Sequence, residues 1–451
     1  MIQIDSKYRY MASCFCDEIF HCNVFMETYQ GCIQLEYAPK EYRDDENLMI
    51  DLHTLEIVHI SNDVIRNRRK ARWQAWADSV TYNKPMEDPE EPPAGECETI
   101  NHADLADKKA YHFLIRLEKS AQTEAQNVEY DYYVMSDIEE CCQFFDDHAI
   151  QPADESIRII DLFHLKIYKP RDLFKARYML LGGIIGDTVG SVYEFDNIYT
   201  KQFPLFSNRS IYTDDSIMTL AVADVLQYEN PKRFPMDYDF IREQIIQSMQ
   251  KWGRKYPNPK GAYGNRFTKW LMSKNPEPYN SLGNGSAMRV SAVGWVCQTL
   301  EQTLELAAAT ADITHNHPEG IKGAQATAAA IFLARTGKSV TEIRQYIEST
   351  FRYDLSRTCD QIREVYTYNE TCQGTVPEAL TAAFEGKDFE DVIRLAVSLG
   401  GDCDTLTCIA GSVAGALFDI PKEIAKETMK RLPDDMLDVF KRFSYSRLID
   451  G

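Results

Sequence analysis

The sequence has no long apolar run. No stretch approaches the roughly 18 uninterrupted apolar residues of a membrane-spanning helix, which excludes a helical span. The first twenty residues carry Asp5, Lys7, Arg9, Asp17 and Glu18 without the apolar block of a signal peptide, so the expectation is a cytoplasmic protein. Positive charge is also scarce: 49 Lys and Arg face 69 Asp and Glu, a net of −20. Such a balance argues against broad binding to nucleic acid, which needs a basic surface. No common structural-zinc spacing is present. Cys14, Cys16, His21, Cys22 and Cys32 cluster without matching one, and the twelve scattered cysteines read as reduced thiols. There is no tandem repeat.

What is present divides near residue 170. Residues 1–170 hold 17 basic and 33 acidic side chains, a net of −16, and the remainder is close to neutral at −4. Apolar alternation at 32–37, 49–53, 110–117 and 157–169 predicts strands, while 63–80 predicts a basic amphipathic helix carrying Arg66, Arg68, Arg69, Lys70 and Arg72. That basic face is expected to pair within this acidic domain rather than with nucleic acid. Four prolines and six acids at 85–98 predict a solvated loop, and Ser136-Asp137-Ile138-Glu139 reads as a capping box for a helix through Phe145. From 172 onward helical periodicity dominates, at 172–189, 215–227, 240–255, 304–311, 318–335, 340–349, 376–384, 389–399, 406–418 and 424–431. Gly411 and Gly415, one helical turn apart, would admit another backbone at close range. The expectation is an acidic α+β N-terminal domain, 1–170, before an all-α catalytic domain, 171–451.

Two acidic clusters carry the chemistry. Thr213-Asp214-Asp215 and Asp402-Cys403-Asp404-Thr405 lie 187 residues apart (402 − 215), and each opens an apolar helical stretch. Either alone is an ordinary helix cap, since short acids satisfy free N-terminal amides. Brought together by folding, they would be strongly repulsive unless hard cations such as Mg²⁺, Mn²⁺ or Ca²⁺ sat among their oxygens. Gly283-Asn284-Gly285-Ser286, leading to Met288, reads either as a simple turn or as a loop whose amides cradle a phosphate. Thr314-His315 precedes another helix and offers a histidine for a phosphate or sugar hydroxyl, or for packing. Glu194 ends the glycine-rich segment 182–194 on a short loop.

In order, the segments Gly186-Asp187-Thr188-Val189-Gly190 with Glu194, Thr213-Asp214-Asp215-Ser216, 278–289, Thr314-His315-Asn316-His317-Pro318 and Gly400-Gly401-Asp402-Cys403-Asp404-Thr405 resemble the ADP-ribosylglycohydrolase family. That family includes the dinitrogenase-reductase-activating and eukaryotic ADP-ribosyl-acceptor hydrolases. The resemblance covers about 175–430 and does not extend to 1–170. It implies a helical fold with two Mg²⁺ or Mn²⁺ held by Thr213, Asp214, Asp215, Asp402, Asp404 and Thr405. It further implies a diphosphate on Gly283, Asn284, Gly285 and Ser286 with His315 nearby, Met288 and Tyr263 among the other substrate-binding residues, and Glu194 on a loop beside the scissile bond. Two such ions would fix and polarise a sugar diol and lower the pKa of a bound water.

The implied activity is hydrolysis of the ribosyl bond of an ADP-ribosylated protein side chain, through an oxocarbenium-like state needing a carboxylate for proton transfer. Glu194 or a metal-adjacent acid such as Asp214 or Asp404 would supply it; the sequence does not choose. Tyr212 stands where many relatives carry tryptophan, and Cys403 is expected to point away from the metals. Two other readings stay open: hydrolysis of another nucleotide sugar or phosphoester, and a binding or immunity module without turnover. The N-terminal domain is expected to recognise the protein substrate, or an ADP-ribosyltransferase or toxin.

Overall fold

The computed structural model describes short strands within residues 2–135, then residues 137–161, 167–227 and 236–450. The chain forms two compact units, Met1–Phe174 and Lys175–Gly451. The first contains antiparallel strands in three sheets, the largest ordered Ile2–Ile4, Tyr130–Met135, Phe113–Glu118, Arg158–Asp161, Ile167–Tyr168. The stretch read as one strand at 157–169 folds back on itself, with Ile159 opposite Tyr168. The helix after Tyr130–Met135 is Ile138–Asp147, and its cap is Asp137, which accepts from the Glu140 amide at 2.8 Å. The cap therefore falls one residue beyond the expected Ser136, with the Asp137 carboxylate accepting the third amide of the helix. Its buried Cys141, Cys142, Phe144 and Phe145 form an apolar stripe. The helix expected at 63–80 and the loop at 85–98 lie outside the described residues.

In the second unit, the regular elements among the described residues are helices. None is long and apolar enough to cross a membrane. The single helix read at 172–189 is two, Pro170–Arg177 and Leu181–Gly190. The second packs along Cys403–Leu417 through glycines. A Cβ on Gly182, Gly186 or Gly190 would collide with the backbone carbonyl of Gly411, Thr407 or Cys403 respectively. Glycine every fourth residue puts one bare stripe on a helix face, so the two backbones touch directly. This answers what Gly411 faces: Gly182. The contact is what brings Asp187 beside the second acidic cluster.

Gly186→Ala should lower stability by about 1–3 kcal/mol from overpacking, because backbone carbonyls cannot move aside as side chains do. The gain of roughly 0.5–1 kcal/mol from removing a helical glycine does not offset it. The midpoint of urea unfolding reads this out; an unchanged or raised midpoint would contradict the packing.

Candidate active site and metal centre

Asp187, buried on the Leu181–Gly190 helix, organises the first cluster. Its carboxylate accepts the Thr213 amide at 2.9 Å, the Thr213 hydroxyl at 2.8 Å, the Ser216 amide at 3.1 Å and the Ser216 hydroxyl. It thus caps the Asp214–Leu226 helix from outside, alongside that helix's own cap Thr213, which accepts from Asp215 N at 3.2 Å. Because Thr213 donates its proton to Asp187 and accepts from the Asp215 amide, one lone pair is left for another partner. Burial raises the Asp187 pKa, and these hydrogen bonds oppose the rise. Sequence reasoning quoted this residue within a motif and gave it no role.

The second cluster follows a turn that only glycines suit. Gly400 and Gly401 have φ of +74° and +76°, and a Cβ on Gly401 would run into the Tyr366 ring. The turn aims Asp402 and starts the Cys403–Leu417 helix. Asp404 and Thr405 therefore lie inside the helix's first turn, not ahead of a helix beginning at 406. Deep burial of that turn hides the apolar periodicity from which the start was read. Cys403 lies with its Sγ 3.8 Å from Val397 O, away from the acids.

The two clusters meet. Thr405 Oγ1 donates to Asp215 Oδ2 at 3.2 Å across 190 residues. Carboxylate oxygens of Asp187, Asp215 and Asp404 lie within 4.8 Å of one another, as do those of Glu194, Asp402 and Asp404. Burial is the largest cause of the raised pKa at each acid. It acts with the Asp404 and Asp187 charges on Asp214 and Asp215, and with the Asp402 and Asp187 charges on Asp404. Asp402 rises to about 7 by burial, against a hydrogen bond from Asn284. Glu194, 8% exposed, rises to about 8 by burial and the Asp404 charge, opposed by Lys260.

Asp215 Oδ1 and Glu194 Oε2 are buried without a hydrogen-bond partner. Crowded carboxylates, two threonine hydroxyls and orphaned oxygens fit a hard divalent cation, which satisfies such oxygens and cancels their repulsion. Of the expected ligands, Asp215, Asp402 and Asp404 lie in these groups, Thr213 and Thr405 bond to Asp187 and Asp215, and Asp214 feels the Asp404 and Asp187 charges.

Residues expected to bind substrate are placed more variously. Asn284 spends its side-chain amide on Asp402 Oδ2 at 2.6 Å and Thr375 Oγ1 at 3.1 Å, so it orients an acid of the cluster. The Gly283 and Asn284 amides donate to Ser281 Oγ and Glu370 O, and the Ser286 hydroxyl donates to Gly320 O at 2.7 Å. Met288 packs in the core, and its carbonyl accepts from Thr219. Tyr263 is buried and donates to Tyr256 O at 2.9 Å.

His315 is the better placed donor. Arg289 donates to Thr314 Oγ1 at 2.7 Å, and Thr314 Oγ1 pairs with His315 Nδ1, also at 2.7 Å. Where Thr314 donates to Nδ1, the neutral ring carries its proton on Nε2. That atom faces Gly283 and Gly285, 3.4 Å from where a Cβ on either would stand. Burial and the Arg289 and Arg266 charges hold the His315 pKa well below its ordinary value, so the ring is neutral.

Comparison with known proteins identifies the family. The ADP-ribosylglycohydrolase family model matches residues 169–447. The ADP-ribosylarginine hydrolase Tri1 of Pseudomonas putida (strain GB-1) is 27% identical over 281 residues, covering 55% of this chain and 71% of its own. The ADP-ribosylhydrolase ARH3 of Mus musculus is 24% identical over 326 residues, covering 55% of this chain and 85% of its own. With the family model spanning nearly all of the helical unit and its segments converging on one buried acidic site, the chain belongs to the ADP-ribosylglycohydrolase family and is a hydrolase of that class.

Proposed function

We propose that the protein removes ADP-ribose from modified protein side chains, using two divalent metal ions held by Thr213, Asp214, Asp215, Asp402, Asp404 and Thr405. The observation that carries the reading is the meeting of two acidic segments 190 residues apart, Asp215 with Thr405, beside Glu194 and its unpartnered oxygen. Bound Mg²⁺ or Mn²⁺ would supply the charge that fixes ribose hydroxyls and acidifies a water. Asp187 keeps Thr213 and the following helix turn in register, and Asn284 holds Asp402. His315 Nε2 offers a proton donor to a phosphate or hydroxyl lying on the 283–286 turn.

Glu194 is the proton carrier in this reading. Asp214 and Asp404 are taken as ligands in this reading, whereas Glu194 keeps a buried oxygen without a hydrogen-bond partner beside Asp402 and Asp404. A carboxyl poised there protonates a departing group or takes a proton from water as each step requires. Arginine is the first acceptor to test, because the Pseudomonas putida relative is an ADP-ribosylarginine hydrolase.

The test is incubation with Mg²⁺ and a panel of ADP-ribosylated arginine, serine and nucleic-acid substrates, with the released product identified by mass spectrometry. Free ADP-ribose from at least one protein-type acceptor is expected. No release from any of them, with metal shown to be bound, overturns the reading and leaves a module that binds without turnover. Release of a different product would point to another nucleotide sugar or phosphoester.

A further inference from the structure

Glu194 is surrounded by contacts from residues with no role in the motifs. Three positions beyond it, Asn197 uses both ends of its side-chain amide on one backbone residue. Its Oδ1 accepts Gly401 N at 2.9 Å and its Nδ2 donates to Gly401 O at 3.0 Å, and also to Tyr193 O at 2.7 Å. This two-point pairing resembles a rung of a β-ladder and fixes both distance and orientation. It ties the loop carrying Glu194 to the residue before Asp402.

A second support comes from another segment. Lys260 makes a parallel backbone bridge to Thr213, and its ammonium donates to Ser191 O, three residues before Glu194. The Lys260 charge also acts on Glu194 and Asp404. Next to it, Gly261 has φ of +80°, and a Cβ there would stand 3.0 Å from both Glu194 carboxylate oxygens. The left-handed conformation favours glycine, and a Cβ there would press on the Glu194 carboxylate.

We propose that Asn197, Lys260 and Gly261 are positioning residues that set where the Glu194 carboxylate stands relative to Asp402 and Asp404. The inference rests on the proton-carrying role given to Glu194. It predicts a loss confined to turnover, because a displaced catalytic carboxylate leaves binding intact while misplacing a proton.

Asn197→Ala, Gly261→Ala, Lys260→Met and Lys260→Arg test it in the full-length protein. The first two should lower kcat by about 10²-fold, the cost of a displacement near 1 Å, with KM and the Mn²⁺ Kd within about threefold of wild type. Lys260→Met should lower kcat about tenfold and Lys260→Arg should recover it, since guanidinium keeps the charge and the donor. Hydrogen exchange in the metal-free protein gives a readout independent of activity: the Gly401 amide should exchange faster in Asn197→Ala.

Wild-type kcat in Asn197→Ala and Gly261→Ala overturns the proposal. So does a parallel shift of KM, Mn²⁺ Kd and kcat, which would mark a merely structural role, and failure of Lys260→Arg to recover removes Lys260 from the set. If the wild type cleaves no substrate, the functional reading falls by itself. Unchanged Gly401 exchange in Asn197→Ala then overturns the positioning inference, and accelerated exchange upholds the contact between loop and turn.

Discussion

Asp404→Asn should abolish turnover and yet raise the melting temperature of the metal-free protein at about pH 8. Asp404 lies in both acidic groups, so its loss removes an oxygen ligand from each. A fall in kcat on the order of 10³-fold is expected, the usual scale for removing a group that stabilises developing charge. Stability moves the other way. In the native state this carboxyl is buried among Asp402 and Asp187 and its pKa is held well above the ordinary value. At pH 8 an unfolded aspartate is ionised freely, so the native state is penalised whether the group carries its charge or its proton. Asparagine carries neither, and it retains an oxygen for the Thr405 amide, which donates to Asp404 Oδ1 at 3.0 Å.

A gain of about 0.5–2 kcal/mol follows, worth roughly 2–4 °C per kcal/mol for a domain near this size. The rise on adding Mg²⁺ or Mn²⁺ should shrink at the same time. Thermal scans of both proteins, with chelator and with metal, read all of this. Wild-type turnover in the variant, or a lower metal-free melting temperature, would sink the assignment.

Metal-free wild type should lose stability as pH rises from about 5 to about 8. Glu194 and Asp402 have native pKa values near 8 and 7, raised by burial, against 4.5 and 3.8 for the free groups. Between those limits the native state binds more protons than the unfolded chain, so unfolding becomes easier with each increment of pH. Their contribution is fully present below about pH 4 and is lost through the window from 7 to 8. The melting temperature without metal should therefore fall by several degrees across this range. Mg²⁺ or Mn²⁺ should restore it, by about 2.7 kcal/mol at a hundredfold excess over Kd.

Metal must also displace protons, so calorimetric binding enthalpies at pH 7 should vary with the ionisation heat of the buffer. A pH-independent melting temperature with chelator, or buffer-independent enthalpy, would contradict the crowded-acid description.

Much of the helical unit was legible because its helices bury wide apolar faces, and 318–335 and 389–399 were placed to the residue. The failures have physical causes. The final helix, Asp434–Asp450, was overlooked although Met436, Val439, Phe440 and Phe443 recur at helical spacing, because its polar majority dilutes that stripe. The short helix Ser291–Val296 is buried and shows no periodicity to read.

At the site, the six oxygen donors and Glu194 were visible as local motifs, since capping positions must be short and polar. Asp187, Asn197, Lys260 and Gly261 were not. Each acts on a segment remote from it in sequence, on Thr213, Gly401, Ser191 and Glu194 respectively, and nothing in its own neighbourhood announces the partner.

The sequence by itself determined the family, the two acidic clusters and the helical character of 175–451, because these follow from residue type at short spacing. Tertiary structure alone decided that the two acidic clusters share one site. The reason is packing. Glycines at 182, 186 and 190 let the Leu181–Gly190 helix lie backbone to backbone against Cys403–Leu417, and no side chain intervenes to keep Asp187, Asp215 and Asp404 apart. Tertiary structure also placed the Asn284 side chain on Asp402 and buried His315 against the turn as a neutral ring. Burial, which no local pattern encodes, converts those acids from ordinary caps into groups that hold protons or metal.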